Sequence, residues 1–298
     1  MRTIPRSRLR QFAVPAAALG LIASAAGCAR SPEANRPTVV VTYSVLADIV
    51  TDLVGDLATV RVIIPNGQDP HAFEPSAKDV EVLNSAAMIV ANGLQLEEHL
   101  GQSLDAAARG GVAVFYISDH VETQTLLEEG ATVIDPHLWL DPLTLSAAIP
   151  ALTQKLNEVL ETDLTTRSVM VRQHLESINA RVAAIMAKVN NCTLVTGHDE
   201  MGYFATRYGC KVIGAIIPSL STSAEATAGQ IADLKSLATA ANTRAIFASV
   251  GTPTNVAEQL AKEMNVELVE LSTQMLLEGD RYEQFIVRVA QQISNALK

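Results

Sequence analysis

The sequence predicts an α/β protein in which two parallel-sheet (β/α) lobes flank one long helix. Three observations predict it. From Val39 onward, short and almost continuously apolar stretches alternate with helical patterns, as expected of parallel strands covered on both faces. Arg167 to Val189 then runs without glycine or proline. Its apolar positions Val171, Leu175, Ile178, Val182, Ile185 and Val189 recur at three- and four-residue spacing. Beyond Val189 the strand–helix alternation resumes and continues to the end.

Taken in order, Val39–Thr42 reads as a strand and Ser44 to about Val54 as a helix with a serine at its capping position. Thr59–Ile64 is the next strand and runs into a loop ending at His71. Ser76 opens a helix to about Asn84, and Asp79 completes an acidic capping box. Ala86–Val90 is a strand turned by Asn92-Gly93. A helix follows from Gln95 to about Ala107, then a strand at Val112–Tyr116 after Gly110-Gly111. The stretch 118–131 is acidic and less regular. A helical region spans Pro142–Leu160, where Pro150 predicts a kink or an interruption. After the long helix, strands are expected at Thr193–Thr196, Lys211–Ala215, Ala245–Ser249 and Glu267–Val269. Helices are expected at Glu200–Tyr208, Ala224–Ala240, Pro253–Met264 and Arg281–Leu297.

The first residues read as a targeting segment rather than as fold. Arg2, Arg6, Arg8 and Arg10 precede an uncharged stretch ending in small residues before Cys28. This pattern resembles a bacterial lipoprotein signal in which Cys28 becomes the lipidated first residue. Such a chain is exported and anchored to the outer face of a membrane. The expected organisation is a signal segment over 1–27, a tether over 28–38, an N-terminal lobe over 39–165, a linking helix over 166–190 and a C-terminal lobe over 191–298. The formal charge of −10 becomes −14 without the four arginines. That argues against nucleic acid as a partner, which calls for a basic surface. The remaining cysteines, Cys192 and Cys210, are too far apart for a CxxC site. They stand near the starts of neighbouring strands in an exported protein, so a disulfide and two buried thiols are both open.

Three histidines occupy loops at or near strand ends, where parallel-sheet proteins place their ligands. His71 follows the second strand, His198 follows Thr193–Thr196, and His137 lies in a short loop before a helix. Two of them end the same tripeptide, Asp-Pro-His, at 69–71 and 135–137. Proline narrows the approach of each histidine, and a neighbouring aspartate can orient an imidazole. Each histidine alone reads as an ordinary surface or structural residue. Together they suggest a transition-metal site assembled from distant loops. His99, His120 and His174 lack such a setting. His120 reads as a structural residue or a minor capture residue on a rim.

The segments IPNGQDPHAFEPSAKDV (64–80), ANGLQLEEHL (91–100), DPHLWLDP (135–142) and VTGHDEMGYFATRYG (195–209) resemble the cluster A-I solute-binding proteins of ABC importers. This is the ZnuA/TroA-like group that takes up zinc and manganese. The resemblance covers essentially the whole chain after Cys28. It implies two lobes joined by a rigid helix, with the metal between them. It implies His71, His137 and His198 as three ligands, and an ABC permease with its ATPase as partner. The family's fourth ligand is an aspartate, and Gln274 falls at its position here. Gln274 is thus the candidate fourth ligand, but an amide leaves the site one negative charge short; Glu270, Asp280 or Asp199 could compensate, or a water or external anion could take the fourth position. Imidazole at 198 favours Zn(II), with Mn(II) as the alternative. Affinity is expected to fall as pH drops toward about 6, where free imidazole protonates. A monomer without enzymatic activity is expected. The other function classes are a binder of a metal complex, an adhesive surface lipoprotein and a zinc hydrolase using Glu200 or Asp199 as base.

Overall fold

The computed structural model describes residues 36–298 except 129 and 250. Cys28, the segment before it and Glu129 lie outside the described residues. The first sheet is built from β1 (Thr38–Val41), β2 (Thr59–Val62), β3 (Met88–Ala91) and β4 (Ala113–Tyr116), in the order β2-β1-β3-β4. The second is built from β7 (Thr193–His198), β8 (Lys211–Ile217), β9 (Ala245–Ala248) and β10 (Glu267–Glu270), in the order β10-β9-β7-β8. Every pairing in both sheets is parallel. The two halves therefore share one connectivity: the opening strand lies inside, the second on one side, the third and fourth on the other. Such an order creates a switch point beside the opening strand, where ligands collect at strand C-termini. The inner strands β3 and β9 are buried throughout, whereas the edges β2 and β10 carry Arg61, Glu267 and Glu270 toward solvent.

Helices cover both faces. On the outer face of the first sheet lie α2 (Ala77–Asn84) and α3 (Gly101–Arg109), and on that of the second α7 (Ala228–Ala240) and α8 (Thr254–Met264). The inner faces share a single core with α1 (Ser44–Val54), α4 (Pro142–Leu160), α5 (Thr165–Met186) and α9 (Tyr282–Ala296). The linking helix α5 has 22 residues, about 33 Å at 1.5 Å per residue. It buries Val171, Leu175, Ile178 and Val182 of the expected stripe, with Met186 in place of the half-buried Ile185, and ends before Val189. The guanidinium of Arg167 donates to the carbonyl of Val54 at the end of α1, where positive charge is favoured. α6 (Gly202–Tyr208) follows β7. Cys192 and Cys210 form a disulfide across the starts of β7 and β8. Closing a loop of this length disfavours the unfolded chain by roughly 3 kcal/mol.

Several local readings differ from the fold. Pro150 does not interrupt α4: its ring is exposed, while Leu145, Ala148, Ile149 and Leu152 hold the opposite face in the core. The helix expected from Gln95 begins only at Gly101, because Leu94 and Gln95 adopt positive φ (56° and 61°). The acidic stretch contains an antiparallel hairpin, β5 (Thr125–Glu128) paired with β6 (Ala131–Ile134). Ser44 does not cap α1. Its hydroxyl accepts the Leu276 N–H at 3.1 Å and so ties the two halves. The Ser76 capping box is present in both directions. Among the described residues, no helix is long and apolar enough to cross a membrane.

Candidate metal centre

The three histidines converge. Donor atoms of His71, His137 and His198 all lie within 4.8 Å of one another. His137 Nε2 is 3.3 Å from His71 Nε2 and 3.2 Å from His198 Nε2. His71 is 1% exposed, and the other two are fully buried. His71 comes from the loop between β2 and α2, His137 from the turn between β6 and α4, and His198 from the last position of β7.

Both Asp-Pro-His segments use the same local bond. The His71 N–H donates to Asp69 Oδ1 at 3.0 Å, and the His137 N–H donates to Asp135 Oδ1 at 2.9 Å. Asp135 Oδ1 also lies 2.8 Å from His137 Nδ1. Because that oxygen already accepts the backbone N–H, the ring proton belongs on Nδ1, and the lone pair of Nε2 points at the other imidazoles. Further contacts hold this turn. Asn92 Nδ2 donates to the Pro136 carbonyl at 2.8 Å, Tyr203 Oη to the Asp135 carbonyl at 3.2 Å, and Tyr282 Oη to the Trp139 carbonyl at 2.8 Å. A Cβ at Gly202 would meet Asp135 Oδ2 at 2.4 Å, and one at Gly197 would meet Thr252 Oγ1 at 1.8 Å. Both positions therefore need glycine for the chains to approach around His137 and His198.

The electrostatics favour neutral imidazoles. Burial, with His137 beside it, pushes His198 down to about 3. Burial pushes His137 down to about 4, partly opposed by Glu200. His71 is lowered by burial and by both partner rings. All three are therefore neutral at pH 7, with lone pairs available. Desolvation thus places protonation of these rings below the range of a free imidazole. Burial pushes Asp135 up to about 7, and burial with Asp135 and Glu128 pushes Asp199 up to about 7.

Gln274 is 2% exposed, and neither its Oε1 nor its Nε2 has a partner. Unmade hydrogen bonds of this kind cost roughly 1–3 kcal/mol each. The three carboxylates weighed from sequence as charge compensation do different things. Asp280 pairs with Arg288, the Glu270 side chain is exposed, and Asp199 sits by Asp135 and Glu128. Glu200 approaches an Nε2 of the triad, with Oε2 3.8 Å from His198 Nε2, whereas Asp135 and Glu98 lie by the Nδ1 atoms of His137 and His71. His120 stacks on Phe115 with ring centroids 4.5 Å apart, and His174 Nε2 lies 3.9 Å from Glu283. His99 lines a different cleft with Tyr116. A cavity of about 400 Å³ opens over His71, walled by Glu98, Ile134, Pro136 and Ser219.

Residues 39–296 match the family described as zinc-uptake complex component A, periplasmic. The chain belongs to this family. The zinc-binding protein TroA of Treponema pallidum is 30% identical over 231 residues, 76% of this chain and 74% of that protein. The solved structure of that periplasmic zinc-binding protein superposes with a TM-score of 0.80 at 28% identity, covering 88% of this chain and 99% of TroA. The manganese-binding lipoprotein MntA of Halalkalibacterium halodurans is 25% identical over 279 residues, 88% of this chain and 89% of MntA. The iron ABC transporter substrate-binding lipoprotein MtsA of Streptococcus pyogenes serotype M1 is 26% identical over 264 residues, 83% of each chain. Members with these names are binding proteins.

Proposed function

We propose that this protein captures a divalent transition-metal ion outside the cytoplasmic membrane and delivers it to an ABC permease. His71 and His137 from the first half and His198 from the second are its ligands, with Gln274 at the edge of the fourth position. The observation that carries this reading is the spacing of the imidazole nitrogens. Two donors on one tetrahedral zinc at 2.0–2.1 Å lie about 3.3 Å apart, and the contacts of His137 Nε2 with its neighbours are 3.3 and 3.2 Å. Neutral nitrogens facing one another at this distance repel unless a proton or cation lies between them. The imidazole-rich set favours Zn(II) over Mn(II). The name of MtsA supports the ABC importer, and those of MntA and MtsA support a lipoprotein. Anchoring through a lipidated Cys28 rests on the sequence pattern.

The site suits capture rather than turnover. Its imidazoles are buried, so a peptide or ester has little room at the ion. Helix α5, packed into the core that both halves share, favours small relative motion of the two sheets on loading. Calorimetry of demetallated protein competed against a chelator, with elemental analysis of protein purified without a metal column, tests the function. One tightly and reversibly bound zinc per chain, without hydrolysis of model esters, is expected. Absence of stoichiometric binding would reject the proposal.

A further inference from the structure

A divalent ion held by three neutral imidazoles keeps its full charge inside a buried site, and uncompensated buried charge is costly. The surrounding carboxylates differ in their ability to offset it. Asp69 accepts the His71 N–H and the Thr222 hydroxyl. Asp135 is bound to the far side of the His137 ring, at Nδ1. Glu98 lies 3.6 Å from His71 Nδ1, again behind the ring. Glu200 approaches from the front: its Oε2 is 3.8 Å from His198 Nε2, the atom that faces His137. It is 1% exposed. The Ser249 hydroxyl donates to Oε1 at 2.6 Å and the Thr273 hydroxyl to Oε2 at 2.8 Å. The Thr273 carbonyl in turn accepts Trp139 Nε1 at 2.7 Å, which fixes that arm of the cradle to the turn bearing His137.

Resting on the metal-capture reading, we propose that Glu200 is the anionic ligand of the captured ion, supplying the charge that Gln274 lacks. Gln274 stays a buried neutral amide. Glu200 stands outside the cluster of three imidazole donors that lie within 4.8 Å of one another, and ligation needs its Oε2, 3.8 Å from His198 Nε2, to swing toward His71 and His137 until all donors stand roughly 3.3 Å apart. The bound ion then carries a local charge of +1 instead of +2, and its donor set is three nitrogens and one carboxylate oxygen.

The test compares wild type with Glu200→Gln, Gln274→Ala and the double variant Glu200→Gln/Gln274→Asp. Zinc affinity is read by chelator competition, coordination by the visible spectrum of the Co(II) form, and folding by metal-free thermal melts. Glu200→Gln is expected to lose roughly 30-fold or more in affinity and to change the Co(II) spectrum. Gln274→Ala loses less, and the double variant recovers part of the deficit. Equal affinity and an unchanged spectrum in Glu200→Gln, or a larger loss in Gln274→Ala, would overturn the assignment. Should Glu200→Gln fail to fold, a zinc-loaded crystal structure of wild type decides the point. A Glu200 oxygen at about 2.0 Å from the ion supports the proposal, and Gln274 or water in that place overturns it. If wild type binds no zinc, or His137→Ala binds as wild type does, the capture reading itself fails instead.

Discussion

The two Asp-Pro-His segments begin alike and end differently. In each, the aspartate accepts the histidine N–H two residues on, which fixes the turn that presents the ring. The remaining bonding capacity then diverges. Asp135 turns inward and holds the Nδ1 of its own histidine, with Gly202 packed against its other oxygen. Asp69 reaches across the molecule, its Oδ2 accepting the Thr222 hydroxyl at 2.5 Å from the loop beyond β8. One copy of the tripeptide sets the direction and tautomer of a ring. The other fastens a loop of the first half to the second. The same three residues thus serve orientation in one place and closure in the other, and the difference comes from what the fold puts opposite each carboxylate.

The comparison predicts unequal losses. Asp135→Ala removes the group that orients His137 and is expected to cost roughly 10–100-fold in zinc affinity. Gly202→Ala, whose Cβ would crowd Asp135 Oδ2, should move affinity in the same direction by less. Asp69→Ala is expected to cost under about tenfold, because His71 keeps its place in the core, and Thr222→Val should reproduce part of that loss. Chelator-competition titrations of the four proteins check the order. Equal losses in Asp69→Ala and Asp135→Ala would break the distinction.

The smallest effect concerns pH. Metal binds the neutral rings, so protons compete for the imidazoles only below the ring pKa. Burial holds His137 near 4 and His198 near 3, below the ordinary 6.5. Between pH 7.5 and 5.5 protonation of these rings should therefore change the affinity by less than about tenfold, with steep loss from them only as pH approaches about 4. A steep loss centred near pH 6 would mean that these rings are solvated before loading.

Much of the frame was readable because burial leaves a periodic trace. The apolar stripe of α5, the buried runs of β3 and β9 and the capping box at Ser76 all follow local rules. The convergence of His71, His137 and His198 was also readable, from their loop positions and the repeated tripeptide. What was hidden depends on depth and on partners distant in sequence. Glu200 reads only as a candidate base two residues after His198 until Ser249 and Thr273 close over it. Asn92 reads as a turn residue, yet its amide holds the Pro136 carbonyl 44 residues away. Acidic residues masked the β5–β6 hairpin, in which β5 alternates only between exposed and half-buried positions and β6 is mostly exposed. Ahead of α3, Glu97 turns inward to accept the Thr42 hydroxyl at 2.6 Å and the Asn92 N–H at 2.8 Å, partners the local sequence does not reveal.

X-ray absorption at the zinc edge of the loaded protein in solution tests the central claim most directly. Three imidazole nitrogens and one oxygen, all at about 2.0–2.1 Å, are predicted. A sulfur shell, or a spectrum fitted by one imidazole or none, would contradict it.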